Sequence, residues 1–207
     1  MSDRTIIRDG DVDTPVVAEY EATRRDLMRR GLVVGGTVLA ASSIPTLLNV
    51  RNAFAQGETD AQILEAAIGL EQTAVFAYTA AAASGKLDRG STAAAKHFAK
   101  QEQEHADGLT TALQALNGTP PPKPTRPDQV KGLAQAATSA AGIVKFAIEL
   151  ETMAVAAYYD AQQKLRDAKL LQTGASIMAN EGQHLVVLRT VAKQNPVPYA
   201  FETGETR

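Results

Sequence analysis

Glu102-Gln103-Glu104-His105 and Glu181-Gly182-Gln183-His184 decide how this chain folds. Each is a Glu-x-x-His, and each follows a Leu-Glu pair with a tyrosine seven residues beyond the glutamate. The first pair is Leu70-Glu71 with Tyr78; the second is Leu150-Glu151 with Tyr158. The chain holds three histidines, and two of them stand in this pattern. A single Glu-x-x-His carries little weight, but two in register with two Glu-x6-Tyr form an internal repeat. Together the copies offer four carboxylates and two imidazoles. Such a set suits two metal ions inside a four-helix bundle, with one Glu from each of two helices and a Glu-x-x-His from each of the others.

The surrounding residues make the same point by their spacing. Leu64, Ile68, Glu71, Val75 and Tyr78 step by four and three along one helical face, and Val144, Ile148, Glu151, Val155 and Tyr158 repeat the steps. Phe98, Glu102, His105 and Leu109 form a third stripe, and Ile177, Glu181, His184 and Leu188 a fourth. This is the inward-facing spacing of a bundle, with a glutamate in each stripe where an apolar side chain belongs. Burying one unpaired charge costs several kcal/mol, so four bare carboxylates cannot share an apolar core. Two divalent ions balance them with both imidazoles neutral, and two of the glutamates can bridge. Without metal, desolvation and mutual repulsion should raise the carboxylate pKa values.

Strong helix formers dominate from Asp60 onward without period-2 alternation, so the domain reads as all-α. Thr59 with Gln62 is a capping box that opens a first helix running to about 84, where Gly85 can end it. Ser91 is the expected cap of a second helix that stops near Asn117-Gly118. The Pro-rich stretch that follows cannot be helical, although a short helix at about 128–137 can form. A third helix is expected from about 139 to 164 and a fourth from about 169 to 193. The segments before 20 and after 201 carry no fold signal and read as mobile. Glu71 and Glu102 are equidistant from the first turn, and Glu151 and Glu181 from the second, so each hairpin levels its glutamates. A helix of about 26 residues is about 39 Å long, and about 12 extended residues cover that distance. The segment 117–139 can therefore run the length of the bundle and deliver the third helix parallel to the second. The expected architecture is a four-helix bundle, up-down-down-up, with one long crossover between the second and third helices.

The first 55 residues stand apart from that domain. Thr23-Arg24-Arg25-Asp26-Leu27-Met28-Arg29 resembles the twin-arginine export motif, followed by a mildly apolar run over 31–50 and the small-x-small site Ala53-Phe54-Ala55. The run is long enough for a membrane anchor, but Gly35-Gly36, Ser42-Ser43 and Pro45 interrupt it, which favours an export signal. The resemblance implies a passage through the twin-arginine translocase, a mature start at Gln56, and a periplasmic, cell-surface or extracellular location. That route carries folded proteins, often with the cofactor already installed.

Composition excludes several classes. A formal net charge of −2 gives no basic face for nucleic acid. The absence of cysteine removes disulfides, thiolate metal sites and an internal rubredoxin-type iron centre. Glu104 and Glu149 lie on the far side of their helices from the motif positions, and Glu65 is well off its stripe, so all three read as solvated. His97 reads as a surface residue, Phe76 and Phe146 as packing, and Tyr159 as facing away from the stripe, where it could meet a second copy in a homodimer.

From about 60 to 194 the chain resembles the ferritin-like superfamily of di-iron carboxylate proteins, closest to its rubrerythrin-like and desiccation-related branches. The resemblance implies metal ligation by Glu71, Glu102, His105, Glu151, Glu181 and His184. It also implies that Tyr78 and Tyr158 hydrogen-bond to ligand carboxylates, and that the residue before each Glu-x-x-His supports a ligand histidine. Bacterioferritin-like members carry Asp there, whereas this chain has Gln101 and Asn180; an amide oxygen accepts from an imidazole N–H but lends no charge. An oxygen-rich six-ligand set suits iron or manganese over zinc. The expected function is an exported di-metal protein, with iron foremost, reacting with dioxygen or peroxide as a ferroxidase or peroxide scavenger. Dimanganese catalase chemistry and a non-catalytic stress or desiccation-protection role are the rival readings. Mineral storage would require a closed cage, which no feature of the sequence specifies.

Overall fold

A computed structural model describes residues 59–204, together with the short strands β1 (Ile7–Arg8) and β2 (Asp11–Val12). The twin-arginine motif, the apolar run and the cleavage site all lie outside the described residues. The two strands pair antiparallel, Ile7 opposite Val12 and Arg8 opposite Asp11. The sequence between them, Asp9-Gly10, is of the type that favours two-residue hairpins.

Four long helices make the bundle. Thr59 caps α1 (Asp60–Ala83) through the expected box: Gln62 N–H donates to Thr59 Oγ1 at 3.3 Å and Thr59 N–H to Gln62 Oε1 at 3.2 Å. Gly85 follows the helix at φ 66°, a conformation costly for any residue with a Cβ. Helix α2 (Arg89–Ala115) starts earlier than its sequence implied. Its cap is Asp88, which accepts from Ser91 N–H at 2.7 Å, so the expected cap residue is the capped one. Gly90 reads as a helix breaker, but within the first turn it costs little. Helix α2 ends with Asn117 at φ 60°, while Gly118 N–H reaches back to Leu113 O at 3.0 Å.

The crossover follows the length of α1. Pro121 passes over Gly69, whose missing Cβ would sit 3.8 Å from the proline ring. Farther on, a 3-10 turn (Pro127–Gln129) and a one-turn helix α3 (Leu133–Ala136) replace the single short helix anticipated there. Gly132 at φ 86° separates them, and Val130 and Leu133 are buried anchors in the core. Ser139 then caps α4 (Ala140–Ala161), accepting from Gly142 N–H at 3.0 Å. Asp167 caps α5 (Ala168–Val191). Asp60, at the start of α1, accepts from Arg166 and Asp167 N–H at 3.0 Å each, tying the second hairpin turn to the first helix. The result is the all-α, up-down-down-up bundle expected, with α1 against α2, α4 against α5, and α1 against α4. Among the described residues no helix is long and apolar enough to cross a membrane.

The described residues just after 201, expected to be mobile, are tied to the bundle. Arg189, buried on α5, donates from Nη1 to Glu202 Oε2 at 2.7 Å. Gly204, at φ 69°, lies so close to α4 that a Cβ there would fall 2.3 Å from Thr152 O and 2.4 Å from Ala156 N. Two constraints act together here: a buried guanidinium needs its carboxylate, and only glycine fits the close approach. Gly204→Ala is expected to undock the tail rather than unfold the bundle. Unfolding free energy should fall by about 1–2 kcal/mol, and limited proteolysis should cut around Phe201 much faster than in the unaltered protein.

Candidate metal centre

Each long helix brings one glutamate to the same level of the core. The side chains of Glu71, Glu102, Glu151 and Glu181 are no more than 2% exposed. Two tyrosines lock the register between α1 and α4: Tyr78 donates to Glu151 Oε1, and Tyr158 donates to Glu71 Oε1. Because each tyrosine lies seven residues after its own glutamate, this reciprocal pair is satisfied only by antiparallel helices. The internal repeat thus appears as an approximate two-fold relation through the centre of the site.

The six motif residues form two overlapping clusters. Glu71, Glu102, His105 and Glu181 make one, and Glu102, Glu151, Glu181 and His184 the other; within each, one donor atom per residue lies within 4.8 Å of the rest. His105 Nδ1 lies 3.4 Å from Glu71 Oε2, 3.2 Å from Glu102 Oε2 and 3.1 Å from Glu181 Oε1. His184 Nδ1 lies 3.1 Å from Glu102 Oε1, 3.2 Å from Glu151 Oε1 and 3.0 Å from Glu181 Oε2. Glu102 and Glu181 therefore turn one oxygen to each histidine, as bridging carboxylates do.

This donor set fits a pair of divalent ions. One imidazole nitrogen can direct at most one proton along one line, yet each Nδ1 faces three carboxylate oxygens. Glu102 Oε1 and both oxygens of Glu181 are buried and form no aligned hydrogen bond, despite their proximity to imidazole nitrogen. Buried acceptors left in this state are costly. A cation at the centre of each cluster would satisfy them, and two such charges balance four carboxylates.

The surroundings differ between the halves. Gln101 Oε1 lies 3.0 Å from His184 Nε2, where an imidazole N–H can donate to it. Asn180 is half-buried and makes no matching bond to His105 among the described residues. Phe98 stacks on the His184 ring at a centroid distance of 4.0 Å, and Tyr78 meets both rings edge-on. The helical stripe announced that Phe98 faces inward, but contact with a ring on α5 depends on interhelical packing. The discounted residues lie away from the centre: Glu65, Glu104 and His97 are exposed, Glu149 pairs with Lys145, and Phe146 joins the core.

In the metal-free protein, protons take over the compensation. Burial, reinforced by the charges of Glu102 and Glu181, holds the Glu71 and Glu151 carboxyls well above their usual range. Burial would lower the histidines, but hydrogen bonds with the surrounding glutamates outweigh it and push His105 and His184 up to about 12. Glu102 moves oppositely: burial raises it, but the imidazoles beside its two oxygens, His105 first and then His184, outweigh that and bring it down to about 2. The rise expected of the carboxylates without metal is thus found at Glu71 and Glu151, while Glu102 departs from it. Raised folded-state values mean stability that is lost as pH increases. For the histidines the loss starts above their unfolded value of about 6.5, and for Glu71 and Glu151 it starts above the ordinary carboxylate range. Glu102 acts only at the acid end, costing stability as pH falls from about 4.5 toward 2. Thermal melts of chelator-treated protein should decline steadily from pH 5 to pH 9. Metal-loaded protein should show a much shallower decline, since metal binding displaces those protons.

A family model described as a ferritin-like domain matches residues 59–194. No curated protein and no solved structure gives a match. The matched span opens at the Thr59 cap and closes just after α5, enclosing every residue of the two clusters, and this chain belongs to the ferritin-like domain family.

Proposed function

We propose that the protein is an exported di-metal protein, with iron foremost and manganese the nearest substitute, that carries out oxidative chemistry with dioxygen or peroxide. The observation that carries this reading is the pair of clusters sharing Glu102 and Glu181, with buried carboxylate oxygens that no proton donor aligns with. Glu71 and His105 would complete one metal position, and Glu151 and His184 the other. Ions held there would supply reversible one-electron oxidation, the chemistry common to ferrous oxidation and peroxide removal.

The residues around the clusters support such a role. Burial, followed by the charges of Glu151 and Glu71, raises the Tyr78 and Tyr158 phenols well above their ordinary value. Both hydroxyls stay protonated near neutrality and keep the terminal carboxylates aimed. Ile68, Leu150 and Leu185 belong to the fully buried core, so charge changes at the centre would be felt in a dry, low-dielectric setting. A ferritin-like site of the rubrerythrin-like branch accounts for all of these features. A stress-protection protein with a merely structural metal would not need two buried tyrosine donors.

Reconstituted protein should contain close to two iron or manganese ions per chain by elemental analysis, and a content below one would overturn the di-metal reading. Glu102→Ala combined with Glu181→Ala should abolish binding of both ions, because both positions share these residues. Iron-loaded protein should consume peroxide in a direct assay; metal-replete but inert protein would favour the structural role. For export, Arg24→Lys with Arg25→Lys should leave unprocessed precursor inside the cell, and normal secretion of that variant would remove the twin-arginine assignment.

A further inference from the structure

We infer that the two metal positions are unequal by construction: the Glu151–His184 position is the closed, high-affinity one, and the Glu71–His105 position is the open, exchangeable one. The inference rests on the di-metal reading and adds a rank order that the motifs themselves do not contain. By motif alone the positions are equivalent, since each has one private glutamate, one histidine and the same two shared carboxylates. The distinction lies in what surrounds the histidines.

His184 is held on every side. Its ring side chain is 2% exposed, against 15% for His105. Gln101 Oε1, 3.0 Å from Nε2, can hold the proton on that nitrogen, so Nδ1, which faces the three carboxylates, is the one that would ligate an ion. Phe98 lies flat against the ring, and Tyr78 closes its edge. An imidazole fixed in tautomer and orientation loses less freedom when it takes up an ion, and a partner of this kind is worth 10–100-fold in metal affinity.

Among the described residues His105 has neither the amide partner nor the stacked ring. The residue matching Gln101, immediately before the second Glu-x-x-His, is Asn180, one methylene shorter, and it makes no bond to the His105 ring among the described residues. The residue matching Phe98, four before the glutamate, is Ile177, which has no flat face to stack. Both differences point the same way. With no partner on Nε2 among the described residues and a side chain 15% exposed, the His105 tautomer is unselected and its ring is the freer of the two to admit or release an ion.

Cobalt(II) can serve as the probe, added in steps to metal-free full-length protein, with binding followed by absorption and by proton NMR. Two events separated by at least 10-fold in affinity are expected. At one equivalent, a single paramagnetically shifted imidazole N–H signal should persist against solvent exchange, as the Gln101-held proton of His184 requires. A chelator should strip the second ion at least 10-fold faster than the first. Gln101→Ala should weaken the tighter event about 10-fold or more and abolish the protected N–H signal, while Asn180→Ala should change neither event by more than about twofold. Gln101→Glu should restore the tight event, since its carboxylate can accept the same proton. Mutual repulsion between two ions also separates binding steps, so the response to Gln101 rather than the separation alone assigns the order. Equal affinities, one-phase extraction or equal responses to the two alanine variants would overturn the rank order and leave the di-metal reading standing. Failure of the unaltered protein to take up cobalt or iron would overturn both.

Discussion

Four carboxylates placed in an apolar core impose the constraint on which the rest of this structure depends. Each would be prohibitive alone. They become tolerable because they converge at one level, where a small number of positive charges can serve all four. In the protein without metal those charges are protons on His105 and His184, together with protonation of Glu71 and Glu151. With divalent ions in place the same balance is met without them. The helices must therefore hold a fixed register, since a slip of one residue would take a glutamate out of the cluster and leave it buried among aliphatic groups. Tyr78 and Tyr158, donating across the α1–α4 interface, enforce that register directly.

The rest of the chain serves this alignment from the outside. Asp60 fixes the turn before α5 to the start of α1. The crossover braces α1 at Gly69, and the C-terminal segment braces α4 at Thr152 and Ala156. These two straps occupy comparable places: each leaves the second helix of a hairpin and returns along the first helix of the same hairpin. The turn that begins each is also shared. Gly118 N–H returns to Leu113 O at 3.0 Å, and Gln194 N–H to Arg189 O at 2.9 Å, with Asn117 and Lys193 in the left-handed conformation.

What could be read in advance followed the periodic signals. Glutamates and histidines at bundle positions are visible because helical spacing dictates direction, and the cap at Thr59 obeys local chemistry. The Asp88 cap competes with Ser91, a residue of equally good cap type three positions on, and the order of the tail comes from one distant ion pair and one glycine contact. Neither has a period. The opposite response of Glu102 was invisible for a related reason. Residue types establish that carboxylates are buried, but not that Glu102 has a protonatable ring beside each of its two oxygens. The contact between Phe98 and His184 likewise depends on how α2 and α5 sit together.

The crossover over 117–139 also does something no symmetric assembly could. Each hairpin carries half of the motif set, so two copies of one hairpin would suffice to build the cluster, at an effective concentration set by association. A covalent connection makes that encounter intramolecular, and the site no longer depends on how dilute the protein is. It also frees the halves from identity. In a homodimer a change on one side is copied to the other, whereas here Gln101 and Phe98 need no twin, and their counterparts are Asn180 and Ile177. The loop that joins the hairpins is thus what permits the two sides of the site to become chemically distinct.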